Sequence, residues 1–265
     1  MTEEQILTKP EDLYVDPSLK EMVEVGMFYG RKKSKTHPRM KQFILQNRNG
    51  IEIINLNKTK EMLDRALAFL TETAKNGRSF LFVGTQPSAE ALEPVAREFK
   101  FPFVRTRWLG GTLTNFKVVS GRIDYFKKLR SDLAAGAFEK YTKKERLEIE
   151  REIKRLNELL SGLETLLALP GALVVIDPVM HLAAVREANK LHIPVAAFVN
   201  TDTDPDLIQY PVIGNTKARL AVSWFLEKAK AAIEAGLQFR AAQSKIKEEE
   251  ATASSQEGGV SGGGA

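Results

Sequence analysis

Thirteen residues in the middle of the chain, RTRWLGGTLTNFK from Arg105 to Lys117, gather side chains suited to gripping an anion. Arg105, Arg107 and Lys117 supply positive charge. Trp108 offers a face that can stack on a base or sugar, and Asn115 a hydrogen-bonding amide. The pair Gly110-Gly111 belongs to neither G-x-G-x-x-G nor G-x-x-x-x-G-K-[ST], and neither spacing occurs anywhere in the chain. The plainer reading makes Trp108 a core residue where a helical arm meets the body. Gly110 and Gly111 then form the turn, and Thr114 or Asn115 caps the helix that follows. A second candidate is RKKSKTHPRMK. It carries six basic residues, Arg31, Lys32, Lys33, Lys35, Arg39 and Lys41, and no acidic one. Such a block is either a solvated loop or a phosphate-binding arm.

Catalytic chemistry is less well supplied. The loop NTDTDPD places Asp202, Asp204 and Asp206 where oxygen ligands could bind Mg²⁺, and its D-x-D pattern matches phosphatases with an aspartyl nucleophile. Pro205 favours a simple turn there. VGTQPSAE, after the run SFLFV, has one glycine, and Asp177-Pro178 is a single carboxylate without a paired partner. His37 lies in the basic block, while His181 and His192 lie on or beside a helix. None has the spacing of a catalytic triad or a metal pair. A Mg²⁺-dependent phosphotransfer enzyme using Asp202–Asp206 is the alternative to nucleic-acid binding. A coiled-coil interaction protein is the third reading.

Composition sets the frame. Hydrophobic residues are 43% of 265, enough for a sizeable core. Cysteine is absent, which excludes disulfides and thiolate metal sites and fits an intracellular chain. No apolar run approaches the roughly 18 residues of a membrane span, and the polar start MTEEQILTKPED is unlike a signal peptide. The expectation is a soluble cytoplasmic protein needing no cofactor. The net charge of +5 is partly masked by an acidic tail from Ser244, so the body is more basic than the sum.

The elements that must position these residues read as an α/β fold. A short helix is expected over 18–30, ending near Gly30, followed by the basic loop. QFILQ and IEIINL flank Asn49-Gly50, a type I′ hairpin signal. Asn57 to Asn76 is an amphipathic helix with Met62, Leu63, Ala66, Leu67 and Leu70 on one face and Gly77 at its cap. SFLFVG, FPFV, ALVVID and IPVAAFV alternate with helices over about 87–99 and 179–190. Val212-Ile213 is a short fifth strand before a last helix from Thr216 to about Ala235. This order predicts a parallel sheet covered on both faces, Rossmann- or flavodoxin-like.

Between FPFV and ALVVID the sequence is helical. Ile149, Ile153, Leu156, Leu160, Leu163 and Leu167 form a heptad seam opened by a Thr142–Glu145 capping box. Val119, Ile123, Phe126, Leu129 and Leu133 make a looser stripe upstream. Two helices joined by AAGAFEKY predict an inserted antiparallel coiled-coil hairpin. The expected organisation is an extension over 1–17, an α/β RNA-binding body over 18–110 and 168–237, the hairpin over 111–167, and a tail over 238–265, largely disordered from about 250.

RWLGGTLTNFK, PRMKQFILQNRNGIEIINLNKT, SFLFVGT, FEKYTKKE and EANKLHIPVAAFVNTDTDPDLIQYPVIGN, together with the heptad helix, resemble the bacterial small-subunit ribosomal protein S2 family, in order from about Glu21 to Trp224. The resemblance implies a parallel α/β domain with a projecting coiled-coil hairpin. It implies a structural, non-enzymatic protein of the small ribosomal subunit that binds 16S ribosomal RNA between head and body. It also implies neighbouring small-subunit proteins as partners, and help in docking ribosomal protein S1. The chain departs from the family pattern in three places. GMFYGRKKSKTHPRM lacks a His-Phe-Gly-His motif, Thr216-Lys217 replaces an acidic pair, and His192 stands where glycine is usual.

Overall fold

A computed structural model describes residues 17–257, with side chains over 17–244. In chain order the elements are α1 (Pro17–Glu24), β1 (Tyr29–Lys32), β2 (Ile44–Arg48), β3 (Ile51–Ile54), α2 (Leu56–Lys75), β4 (Phe80–Val83), α3 (Leu92–Glu98), β5 (Phe103–Val104), α4 (Phe116–Ala134), α5 (Lys143–Leu160), β6 (Ala172–Ile176), α6 (Leu182–Lys190), β7 (Val195–Val199), β8 (Tyr210–Ile213) and α7 (Arg219–Glu257). Five strands form a parallel sheet in the order β5-β4-β6-β7-β8. Renumbered within the sheet this is 2-1-3-4-5, the flavodoxin-like order, whose switch point lies between its first and third strands, here β4 and β6.

Strand alternation divides the core. Phe80, Phe82, Val174, Ile176, Phe198 and Val212 point into one layer with Leu63, Ala66 and Leu70 of α2 and Phe225 and Ala229 of α7. Leu81, Val83, Leu173, Val175, Ala197 and Val199 point into the other, with Ala184 and Val185 of α6 and with Val119, Ile123, Phe126, Leu156 and Leu160 of α4 and α5. The strand residues are buried on both faces, which is why they read as continuous apolar runs.

Local rules account for several boundaries. Asn55 caps α2 by accepting from the amides of Asn57 and Lys58, and Gly77 past its end has φ 67°. Asn49 and Gly50 have φ 52° and 79°, as a type I′ turn requires, so β2 and β3 pair antiparallel. His192, just past α6, has φ 55°. That left-handed backbone is why glycine suits the position.

Other expectations shift. α1 stops at Glu24 because Gly26, at φ 71°, turns the chain, while Gly30 lies inside β1. The basic segment is ordered: β1 adds to β3, and 3-10 turns follow at Lys33–Lys35 and Pro38–Phe43. α5 ends at Leu160 in a 3-10 turn, which changes the phase of the seam. Leu166 is therefore buried and Leu167, expected in the seam, is 84% exposed. The last helix runs far beyond Ala235, to Glu257. The tail expected to be disordered from about 250 is thus helical to that point, and its remainder lies outside the described residues, as do residues 1–16.

Gly162 in that 3-10 turn sits against β5, where an added Cβ would lie 2.2 Å from the Phe103 carbonyl oxygen. The backbone cannot yield cheaply there. Gly162→Ala should lower the unfolding free energy by about 1–3 kcal/mol, read from urea denaturation.

Candidate nucleic-acid interface

The basic segment is fastened to the loop that follows β7. The Arg31 amide donates to Thr201 Oγ1 (2.8 Å), and the His37 amide to the Thr201 carbonyl (2.8 Å). Arg31 Nε donates to Asp202 Oδ2 at 2.9 Å, and its guanidinium lies 3.6 Å from Asp177 Oδ2. Arg39 NH1 pairs with Asp204 at 3.2 Å and with Asp206. Burial would raise the Asp204 carboxyl, but the Asp206 amide and Arg39, helped by His37, outweigh it and hold it below the usual range. The three aspartates that could have formed a Mg²⁺ or phosphotransfer site therefore face arginines. Among the described residues no three His, Cys, Asp or Glu side chains are grouped to hold a metal. Lys32, Lys33, Lys35 and Lys41 are exposed, and their ammonium groups have no partner among the described residues.

The loop RTRWLGGTLTN is organised by one carboxylate on α6. Glu187 Oε1 accepts from Trp108 Nε1 (3.0 Å) and the Gly111 amide (2.8 Å). Its Oε2 accepts from the amides of Leu113 (3.0 Å) and Thr114 (3.2 Å) and from Thr114 Oγ1 (3.2 Å). Burial favours the neutral acid, but these donors prevail and hold the Glu187 carboxyl below its ordinary value. Gly111 takes φ 87°, the left-handed turn that aims its N–H at Glu187. Asn115 occupies the cap position of α4 without a side-chain cap bond, and the Thr114 hydroxyl is committed to Glu187.

At the switch point, Asp177 follows β6 with φ 57° and 1% exposure. Its Oδ2 accepts from Gln86 Nε2 and Thr216 Oγ1 and lies 3.5 Å from Lys217 Nζ. His181 is buried, and its Nε2 accepts from the Thr85 amide at 3.3 Å. Burial pushes its imidazole below the usual range against the pull of Asp177. An open cleft of about 400 Å³ beside it is lined by Thr85, Thr106, Arg107, Trp108, Met180 and His181.

The structure thus sorts the candidates. Trp108 is 9% exposed in the core layer of α4 and α5, the plainer of its two readings. Arg105 donates to the carbonyls of Gly84, Gln86 and Ala89, which ties β5 to the loop after β4. Arg107, Asn115 and Lys117 are exposed along the entry to α4. Glu187 and Asp177 carry most of the geometry; the sequence offers Asp177 only as a single carboxylate without a paired partner, and Glu187 not at all. Asp177-Pro178 at a strand end is the only local signal for Asp177, and Glu187 in EANK carries none.

α4 and α5 are joined through residues 135–142. Thr142 and Glu145 form the expected capping box, and Arg130 holds Glu164 through two contacts of 2.8 Å. Leu133, Phe138, Arg146 and Ile149 line a shared cavity of about 190 Å³ where the connection folds back.

A family model described as Ribosomal protein S2 matches residues 22–236. Among similar proteins, small ribosomal subunit protein uS2 of Thermus thermophilus is 40% identical over 216 residues, covering 81% of this chain and 84% of that one. The protein of the same name from Dictyoglomus thermophilum is 41% identical over 223 residues, 84% of this chain and 91% of its own. That of Rhodococcus erythropolis is 39% identical over 232 residues, 87% and 81%.

Proposed function

The chain belongs to the ribosomal protein S2 family, and from that premise we propose that it serves the small ribosomal subunit by binding 16S ribosomal RNA through two basic surfaces of its α/β body. The family is structural rather than enzymatic. The observation that carries the reading is the set of exposed cations without internal partners: Lys32, Lys33, Lys35 and Lys41 on the basic segment, and Arg107 and Lys117 at the entry to α4. Asn115 adds an exposed amide beside the last two. Ammonium groups and an arginine fork of this kind meet phosphates and carry little sequence information, so recognition is by shape and backbone.

In this reading the body spans 18–110 and 168–237. The insertion over 111–167 is a coiled-coil arm reaching a separate RNA element. The heptad spacing up to Leu163 and the shared burial of Leu129, Leu156 and Leu160 support it. Docking of ribosomal protein S1 rests on family membership alone.

The test is binding of a 16S fragment across a salt series. If the six cations each displace a counterion, log K should fall with log salt with a slope of about −4 to −5. A flat response would overturn the mechanism.

A further inference from the structure

The two arginines of the basic segment behave differently from its four lysines. Arg31 is 23% exposed in its side chain and spans two carboxylates, Asp202 at 2.9 Å and Asp177 at 3.6 Å, while its own amide is held by Thr201. Arg39 lies across Asp204 and Asp206. Between these points the His37 amide is fixed to the Thr201 carbonyl, and the Lys33 amide to the Gly50 carbonyl at 2.9 Å. At Gly30 the backbone comes so near that a Cβ would stand 2.8 Å from the Glu52 carbonyl oxygen and from Thr201 Cγ2. The planar, always charged guanidinium suits a carboxylate fork, whereas the ammonium is a strongly hydrated point charge. At Arg31 two guanidinium nitrogens reach two carboxylates, and at Arg39 one nitrogen, NH1, reaches both Asp204 and Asp206, so the arginines stand where the segment is fastened to the acidic loop, while the lysine ammonium groups stand free among the described residues.

We infer that the acidic loop Asp202–Asp206 is a latch that presents the basic segment to RNA, and that Arg31 and Arg39 are positioning residues rather than phosphate contacts. The latch works against simple electrostatics. Three aspartates beside an RNA-binding surface repel phosphate, so their presence needs a compensating role. Their arginine partners cancel most of that charge and hold in place Lys32 at the end of β1 and Lys33 and Lys35 in the 3-10 turn that follows. The RNA then meets lysines whose backbone is already placed, which lowers the ordering cost of binding. This inference deepens the RNA-binding reading and rests on it for its consequence, though the latch itself is a property of the free chain.

The experiment uses the full chain with Asp204→Asn and Asp206→Asn together, and separately Arg39→Gln and Arg39→Lys. The double Asn variant removes two negative charges, so Coulomb's law alone predicts tighter binding of a 16S fragment. The latch predicts binding weaker by about threefold to tenfold near physiological salt. Arg39→Gln should weaken binding while leaving the salt slope unchanged, because no phosphate contact is lost. Arg39→Lys should weaken it less than Arg39→Gln, since all carboxylate contacts of Arg39 run through one nitrogen and an ammonium keeps that charge. In the free chain, trypsin should cut after Lys32, Lys33 and Lys35 about tenfold faster in the double Asn variant than in the parent. Tighter binding by the double Asn variant, a slope smaller by about one unit in Arg39→Gln, or unchanged tryptic rates would each overturn the latch. Failure of the parent chain to bind the fragment, with the tryptic rates behaving as expected, would remove the RNA reading and leave the latch standing.

Discussion

Glu187→Ala is expected to lower the unfolding free energy by about 3 kcal/mol, one of the largest effects any single replacement should have in this chain. The carboxylate accepts five hydrogen bonds, four of them from N–H groups of one turn. Removing it strands the indole N–H of a 9% exposed Trp108 and the amide of a 2% exposed Leu113. Hydrogen bonds to a charged group each contribute about 1.5–3 kcal/mol net. They share one acceptor here and do not add. For a domain of this size the loss corresponds to a melting temperature lower by roughly 6–12 °C. Glu187→Gln should cost less, because one amide oxygen still accepts.

The pH dependence separates the two roles of that residue. The folded carboxyl is held below its ordinary value, so the unfolded chain binds the proton first. The stabilisation is complete above the unfolded pKa and is lost as pH falls through the lower folded one. The parent chain should therefore lose stability on acidification below about pH 4.5 more steeply than Glu187→Gln, which has no proton to take up. Urea denaturation at neutral pH and at a series of acidic values measures both effects. Equal slopes for the two chains would mean that Glu187 acts through shape alone.

Much of this architecture is written locally. Asn49-Gly50 demands positive φ at both residues, Asn55 and Gly77 bracket a helix with one apolar stripe, and VVI-type runs belong to strands buried on both faces. Each is decided by neighbours in sequence, so each is legible there. The seam failed at Leu167 for a different reason. Heptad spacing continues to Leu167, but the chain leaves the α-helix at Leu160 for a 3-10 turn in which Gly162 packs against Phe103, a contact between residues far apart in the chain. The same limit hid the organisation of the basic surfaces. A charge block shows which residues are cationic and is silent about which of them a distant acid has taken. Arg105 looked like its neighbour Arg107, yet it serves three carbonyls of the loop after β4 while Arg107 stays exposed. Glu187 and Asp177 organise the site through partners on other elements, and no periodicity marks a residue of that kind.

Replacing Lys32, Lys33 and Lys35 together by alanine should have the largest effect on RNA binding. Each side chain is exposed and without a partner in the free chain, so the change costs little stability. Each ammonium that meets a phosphate contributes about 0.7–0.9 to the salt slope, so the triple variant should show a slope smaller by about 2–3 units. Between 50 and 200 mM salt the parent chain would then lose roughly 20- to 60-fold more affinity than the variant. The same comparison identifies which cations matter, because lysines that only solubilise the surface would leave the slope where it was. Unchanged slope with unchanged affinity would move the RNA contact away from the basic segment, to Arg107, Lys117 and the helices beyond them. A reduced slope in the triple variant, beside the intact slope expected for Arg39→Gln, would separate the lysines that touch RNA from the arginine that holds them in place.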